Sequence, residues 1–187
     1  MILFVFSGIA GVPFLLSIVL QTGPQLSPGE VAMALAAHPI FAVAGAAVAG
    51  RWTSANPWTL PGLGSVLACT GTALIVLAFA QAGDDIAALA LLAPLALVGF
   101  GMGLSNVALM SGALALVSND VAGAASGLLQ TGQQIGVTLS IAIIGGIYLG
   151  TAAETTVAAA TMAPLFPIVV FATAGLLCGL AACAPSR

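Results

Sequence analysis

Residues 86–116 read IAALALLAPLALVGFGMGLSNVALMSGALAL, an unbroken apolar run without a single charge. A helix needs roughly 20 apolar residues to cross about 30 Å of hydrocarbon, so this stretch alone is long enough to span a bilayer. Its surplus length predicts tilt, interfacial turns or a kink at Pro94. Five further segments follow the same grammar: 1–20, 28–49, 58–80, 121–149 and 162–182. A β-barrel would alternate apolar and polar residues over about 10 positions per strand, which these Ala/Leu/Val/Ile/Gly runs do not do. The expected fold is therefore an all-α membrane protein, a six-transmembrane-helix bundle occupying residues 1–187 with only short connections.

Composition agrees with that reading. Hydrophobic residues make up 61% of the 187-residue chain and charged residues 4%, with a mean hydropathy of +1.23. Soluble domains carry about 25% charged residues, so a water-soluble fold is excluded. Two arginines and no lysine give no basic footprint, which removes nucleic acid as a partner and leaves the lipid bilayer. Cys69, Cys178 and Cys183 lie inside apolar spans, with no CxxC and no His or carboxylate cluster beside them. They read as small buried hydrophobes, and neither a metal nor a cofactor is expected. The first run is expected to be a span and not a signal peptide, since it has no basic n-region and carries Pro13 within the run.

The few charges set a topology. Arg51 follows the second span and Arg187 the sixth, which puts both on the side of the N-terminus. The positive-inside rule makes that side cytoplasmic. Glu30, Asp84, Asp85 and Glu154 then fall outside and Asp120 inside. Most of these acids mark helix starts. Ser27-Pro-Gly-Glu30 combines a serine cap, proline at the first helical position and glutamate three residues on. Ser118-Asn-Asp120 is expected to cap the fifth span in the same way. Glu30 and Asp120 each open the second helix of a three-helix unit, on opposite faces, as two inverted three-helix repeats require.

Small and polar residues within the spans carry the remaining information. Gly99, Gly101 and Gly103 in the fourth span, and Gly123, Gly127, Gly132 and Gly136 in the fifth, form the small-residue spacing that lets helices pack closely in lipid. The intramembrane polar residues are His38, Asn106, Gln130, Gln133 and Gln134. Ser126, Gln130, Gln134 and Thr138 recur every four positions and make one slanted stripe, which bonds to another helix or lines a cavity. His38 precedes Pro39 near the middle of the second span. It is a candidate for proton coupling, or a neutral imidazole bonded to a carbonyl that Pro39 leaves free.

Two motifs point to a family. Gly99-Phe-Gly-Met-Gly-Leu-Ser-Asn106 is followed by Asp120-Val-Ala-Gly-Ala-Ala-Ser-Gly-Leu-Leu-Gln-Thr-Gly-Gln-Gln-Ile-Gly136. Together they resemble the C-terminal half of major facilitator superfamily transporters, most closely the fourteen-span drug:proton antiporter branch. Leu20-Gln21, Leu26-Ser-Pro-Gly-Glu30 and His38-Pro39 fit an upstream run of the same branch. The resemblance implies a multi-pass permease that exports hydrophobic or cationic small molecules by rocking against another bundle. It implies that the first and fourth spans face a central cavity. The second and fifth would meet an N-terminal bundle absent here, or a second copy, and the third and sixth would pack outside. Gln21, Asn106, Gln130 and Gln134 become substrate or cavity candidates.

The chain departs from the family at Gln133, where arginine is frequent, and at Arg51, the single arginine of a loop that is usually more basic. Two other classes stay open. One is a truncated or non-transporting membrane subunit. The other is an intramembrane serine protease using Ser126 and His38, although such proteases place the base after the serine.

Overall fold

The computed structural model describes residues 11–22, 24–52, 58–151 and 165–183. Every α-helix in these segments is apolar: α1 Gly11–Thr22, α2 Pro28–Arg51, α3 Thr59–Ala82, α4 Leu92–Leu114, α5 Ala122–Thr151 and α6 Leu165–Cys183. No strand occurs among the described residues. Four helical stretches, Pro28–Arg51, Thr59–Ala82, Ala88–Leu114 and Asn119–Gly150, are long and apolar enough to cross a membrane. Gly11–Thr22 and Leu165–Cys178 are shorter apolar helices. The first half of the sequence-assigned first span, the link 53–57 and the start of the sixth span lie outside the described residues.

Local chemistry sets the helix ends. At the start of α2 the Ser27 amide donates to Glu30 Oε2 over 2.9 Å, and the Glu30 amide donates to Ser27 Oγ over 3.4 Å. This is the reciprocal capping box read from the sequence. Ser118 behaves differently. It precedes a 3-10 turn, Asn119–Val121, and its side chain makes no capping bond. The expectation of a second serine cap is thus corrected, because the Val121 amide donates to the Ser118 carbonyl over 3.2 Å in this turn and not to the Ser118 hydroxyl. Helix α3 stops at Gly83, whose φ of 57° is open to glycine at little cost. Part of the surplus of the fourth span is taken up by a 3-10 turn at Ala88–Leu91, and another 3-10 turn, Gly83–Asp85, precedes the span. Pro94 falls in the first turn of α4, where no intrahelical N–H is required.

Helix α4 is the centre of the packing, held between α2 on one side and α3 on the other. Glycine makes both contacts possible. A Cβ at Gly99 would fall on the carbonyl oxygen of His38, and one at Gly103 on that of Ala42. Matched steps of four on both chains make α2 and α4 run the same way. On the other flank Gly101 meets the Gly64 carbonyl, while Gly71 meets Pro94 and Val98, so α3 runs opposite to α4. This second seam is tied at the Pro61 carbonyl of α3, which accepts from Ser105 Oγ of α4 over 3.1 Å and from Ser65 Oγ of its own helix over 2.8 Å.

Helix α6 covers α3, with Cys178 against Gly62 and Gly175 against Ser65 and Val66. Cys69 and Cys178 are unpaired thiols, the first half-buried and the second buried. Helix α1 packs on α5 and α2. Its Gly11 lies against Ser140 and Ile144, and its Thr22 Oγ1 lies 2.8 Å from the Tyr148 hydroxyl. The two hydroxyls therefore share a hydrogen bond between α1 and α5.

Candidate functional site

The α2–α4 seam holds the one histidine of the chain. Gly99 and Gly103 bring the two backbones together above and below Met102, a side chain only 3% exposed. His38 is half-buried at the edge of this contact, and its Nε2 lies 3.3 Å from Met102 Sδ. The expected bond of the imidazole to a carbonyl freed by Pro39 is corrected: its observed partner is the Met102 thioether of the neighbouring helix. Helix α2 runs unbroken through Pro39. Asn106 follows one turn after Met102 on α4, half-buried, and its amide makes no hydrogen bond to a described residue.

Helix α5 carries the polar stripe, and the stripe is open. Ser126, Gln130, Gln134 and Thr138 are all exposed. The hydroxyls satisfy themselves along the helix: Ser126 donates to Gly123, Thr131 to Gly127 and Thr138 to Gln134, over 2.8–2.9 Å. The amides of Gln130 and Gln134 make no hydrogen bond to any described residue. A shallow groove of about 430 Å³ runs beside them, lined by Thr131, Gln134, Ile135, Thr138, Leu139 and Ala142. Gly123, Gly127 and Gly132 face open space, with nothing within 4 Å of an added Cβ, whereas Gly136 is buried. The two glycine series therefore differ. That of α4 is engaged by helices on both flanks, and most of that of α5 meets no described helix.

Gln21 sits at the end of α1, exposed, with its Nε2 donating to the Ser17 carbonyl over 2.6 Å. The candidates thus fall into three places: the α2–α4 seam, the outer face of α5 and the end of α1. Ser126 and His38 do not form a dyad, since one bonds to Gly123 and the other contacts Met102. No group of three or more His, Cys, Asp or Glu able to hold a metal occurs among the described residues. Sequence reasoning overlooked Met102 and Tyr148. A signal for the first existed, because Met102 is the bulky residue between two glycines and must fill the space they leave.

No protein-family model matches the chain. The chain is similar to a protein of Streptomyces coelicolor described as "Probable actinorhodin transporter", with 31% identity over 147 residues. The matched region is 78% of this chain and 25% of that protein, so the chain spans about a quarter of the length of the curated relative it matches. Together with the apolar helices, this similarity supports a membrane protein that resembles part of a transporter.

Proposed function

We propose that the chain is the C-terminal six-span bundle of a major facilitator transporter, in the fourteen-span drug:proton antiporter branch. It is built as two inverted three-helix repeats. In this reading it lies in the cell membrane with both termini cytoplasmic, and exports small hydrophobic or cationic molecules in exchange for protons. Transport proceeds by alternating access, this bundle rocking against a second one around a midplane site.

The observation that carries the reading is the unpartnered amide pair on α5. Hydrocarbon offers Gln130 and Gln134 no hydrogen bond, so a helix that points them outward is built to meet a polar surface or a wet cavity. The distribution of burial supports it. Only 22% of the apolar window is buried in the helical stretches Pro28–Arg51 and Asn119–Gly150, against 39% for Thr59–Ala82 and 56% for Ala88–Leu114. Of these four, the two least covered are the second and fifth spans, those assigned to meet the other bundle.

The test is efflux of ethidium from cells expressing the protein. A Gln130→Leu, Gln134→Leu double variant is expected to lose efflux several-fold while the purified bundle keeps its thermal stability. Full efflux by that variant overturns the role given to α5. His38 is the proposed proton-coupling residue, and unchanged pH dependence of efflux in His38→Ala removes it from that role.

A further inference from the structure

The His38–Met102 contact specifies more than proximity. A thioether carries no hydrogen and can only accept, so a hydrogen bond between Nε2 and Sδ requires the imidazole to carry its proton on Nε2. The nitrogen left with a lone pair is then Nδ1. We propose that His38 takes up its proton at Nδ1, and that Met102 is the positioning residue that holds the neutral ring as the Nε2–H tautomer in the α2–α4 seam. This rests on the assignment of His38 as the proton-coupling residue and names the atom and the partner through which it acts.

The surroundings make the assignment consequential. The elements packed against α2 are α1, α4 and the 3-10 turn Ala88–Leu91, and none carries a titratable side chain among the described residues. On α2 itself the charges are Glu30 and Arg51, about 12 and about 20 Å away along the helix axis at 1.5 Å per residue. No described side chain offers a countercharge to the imidazolium. What α2 does offer is the carbonyl of Leu35, which lacks its helical donor because Pro39 has no N–H. It stands one turn back along the same helix and is the acceptor assigned to a newly protonated Nδ1. Proton uptake therefore exchanges a ring tethered to α4 for one also bound to its own helix.

A single histidine in the sequence makes the test clean. Protein labelled with ¹⁵N,¹³C-histidine, purified without a histidine tag and placed in nanodiscs, gives one imidazole spin system whose shifts report the tautomer. The Nε2–H form is expected to predominate above the titration of the ring. Met102→Leu is expected to lower the ratio of Nε2–H to Nδ1–H about threefold or more, the loss of a hydrogen bond of ordinary strength. Met102→Gln, which places a carbonyl acceptor at similar reach, is expected to restore it. A wild-type ring in the Nδ1–H form, or a ratio that Met102→Leu leaves unchanged, overturns the proposal. The wild-type and Met102→Gln spectra decide the matter even where the leucine variant folds poorly. Because the spectrum is read on resting protein, it is independent of the His38→Ala efflux test: a flat pH response there with the expected tautomer here refutes coupling and leaves the positioning intact.

Discussion

Replacing Gly103 with alanine tests whether the α2–α4 seam is as close as it is described. The new Cβ would overlap the Ala42 carbonyl oxygen, and it would stand 2.8 Å from the Ala42 carbonyl carbon and 2.9 Å from the Ala46 nitrogen. All three atoms are backbone, so none can swing aside. Non-bonded carbons are comfortable at about 3.5–4.0 Å, so α2 must retreat by roughly 1 Å. Helices move as rigid rods, and the retreat also loosens Gly99 on His38 and Gly45 on Phe100. Overpacking costs about 1–3 kcal/mol, and a clash with backbone alone puts Gly103 in the upper part of that range, about 2–3 kcal/mol. Alanine recovers up to about 1 kcal/mol of helix propensity, which leaves a net loss of about 1–2 kcal/mol. For a chain of this size that is a fall in Tm of about 2–8 °C. The buried thiol of Cys178 and the half-buried thiol of Cys69 make a thiol-reactive dye a direct reporter of unfolding. Gly146→Ala is the control, since nothing lies within 4 Å of its Cβ and the variant is expected to match or exceed the wild type. A Gly103→Ala protein that melts with the wild type refutes the backbone contact.

Other substitutions separate packing from function. Gly127→Leu fills space that is open in this bundle, so its melting is expected to stay within about 0.5 kcal/mol of wild type. Ethidium efflux is expected to fall several-fold, and normal efflux would show that the α5 face meets no second bundle. Tyr148→Phe removes the hydroxyl bonded to Thr22 and is expected to cost about 0.6 kcal/mol, the usual worth of an interhelical bond in a membrane, read as a small fall in Tm. Ser27→Ala is expected to cost about 1 kcal/mol as a lost cap, while Ser118→Ala, which removes no capping bond, is expected to be neutral. Equal effects of the two serines would contradict the cap geometry.

These contrasts also show what the sequence made legible. Apolar runs announce helices because hydrocarbon leaves the backbone no other partner, and the edges of α2 and α3 fall where Pro28 and Gly83 permit. The capping box at Ser27 was readable because both of its partners are in the text, three residues apart. Ser118 resembled it in type, yet the Val121 amide bonds to its carbonyl and not to its hydroxyl. The glycine series mark the limit of such reading. Gly99-x-x-x-Gly103 and Gly123-x-x-x-Gly127 are the same words, and small-residue spacing states only that a backbone is able to approach closely. Which helix approaches is decided by the tertiary arrangement, which placed two neighbours on α4 and left most of this face of α5 open. The partner of His38 was hidden for a similar reason, since Met102 is 64 residues away and looks like any other core side chain.

The stripe on α5 can be pressed one step further in the proposed arrangement. Its hydroxyls are already satisfied by carbonyls three or four residues back, so they make no obligatory demand on a neighbour. The demand comes from the amides of Gln130 and Gln134, each with two N–H donors and a carbonyl. Leaving an amide unpaired in hydrocarbon costs several kcal/mol, more than any single helix contact repays. The opposing surface must therefore present hydrogen-bonding groups at two points four residues, about 6 Å, apart along the helix. Gly123 and Gly127, on the same side of α5, permit a helix to come close enough for short side chains to reach. A lipid-facing α5 satisfies neither requirement, whereas a second helix bearing small polar residues at four-residue spacing satisfies both.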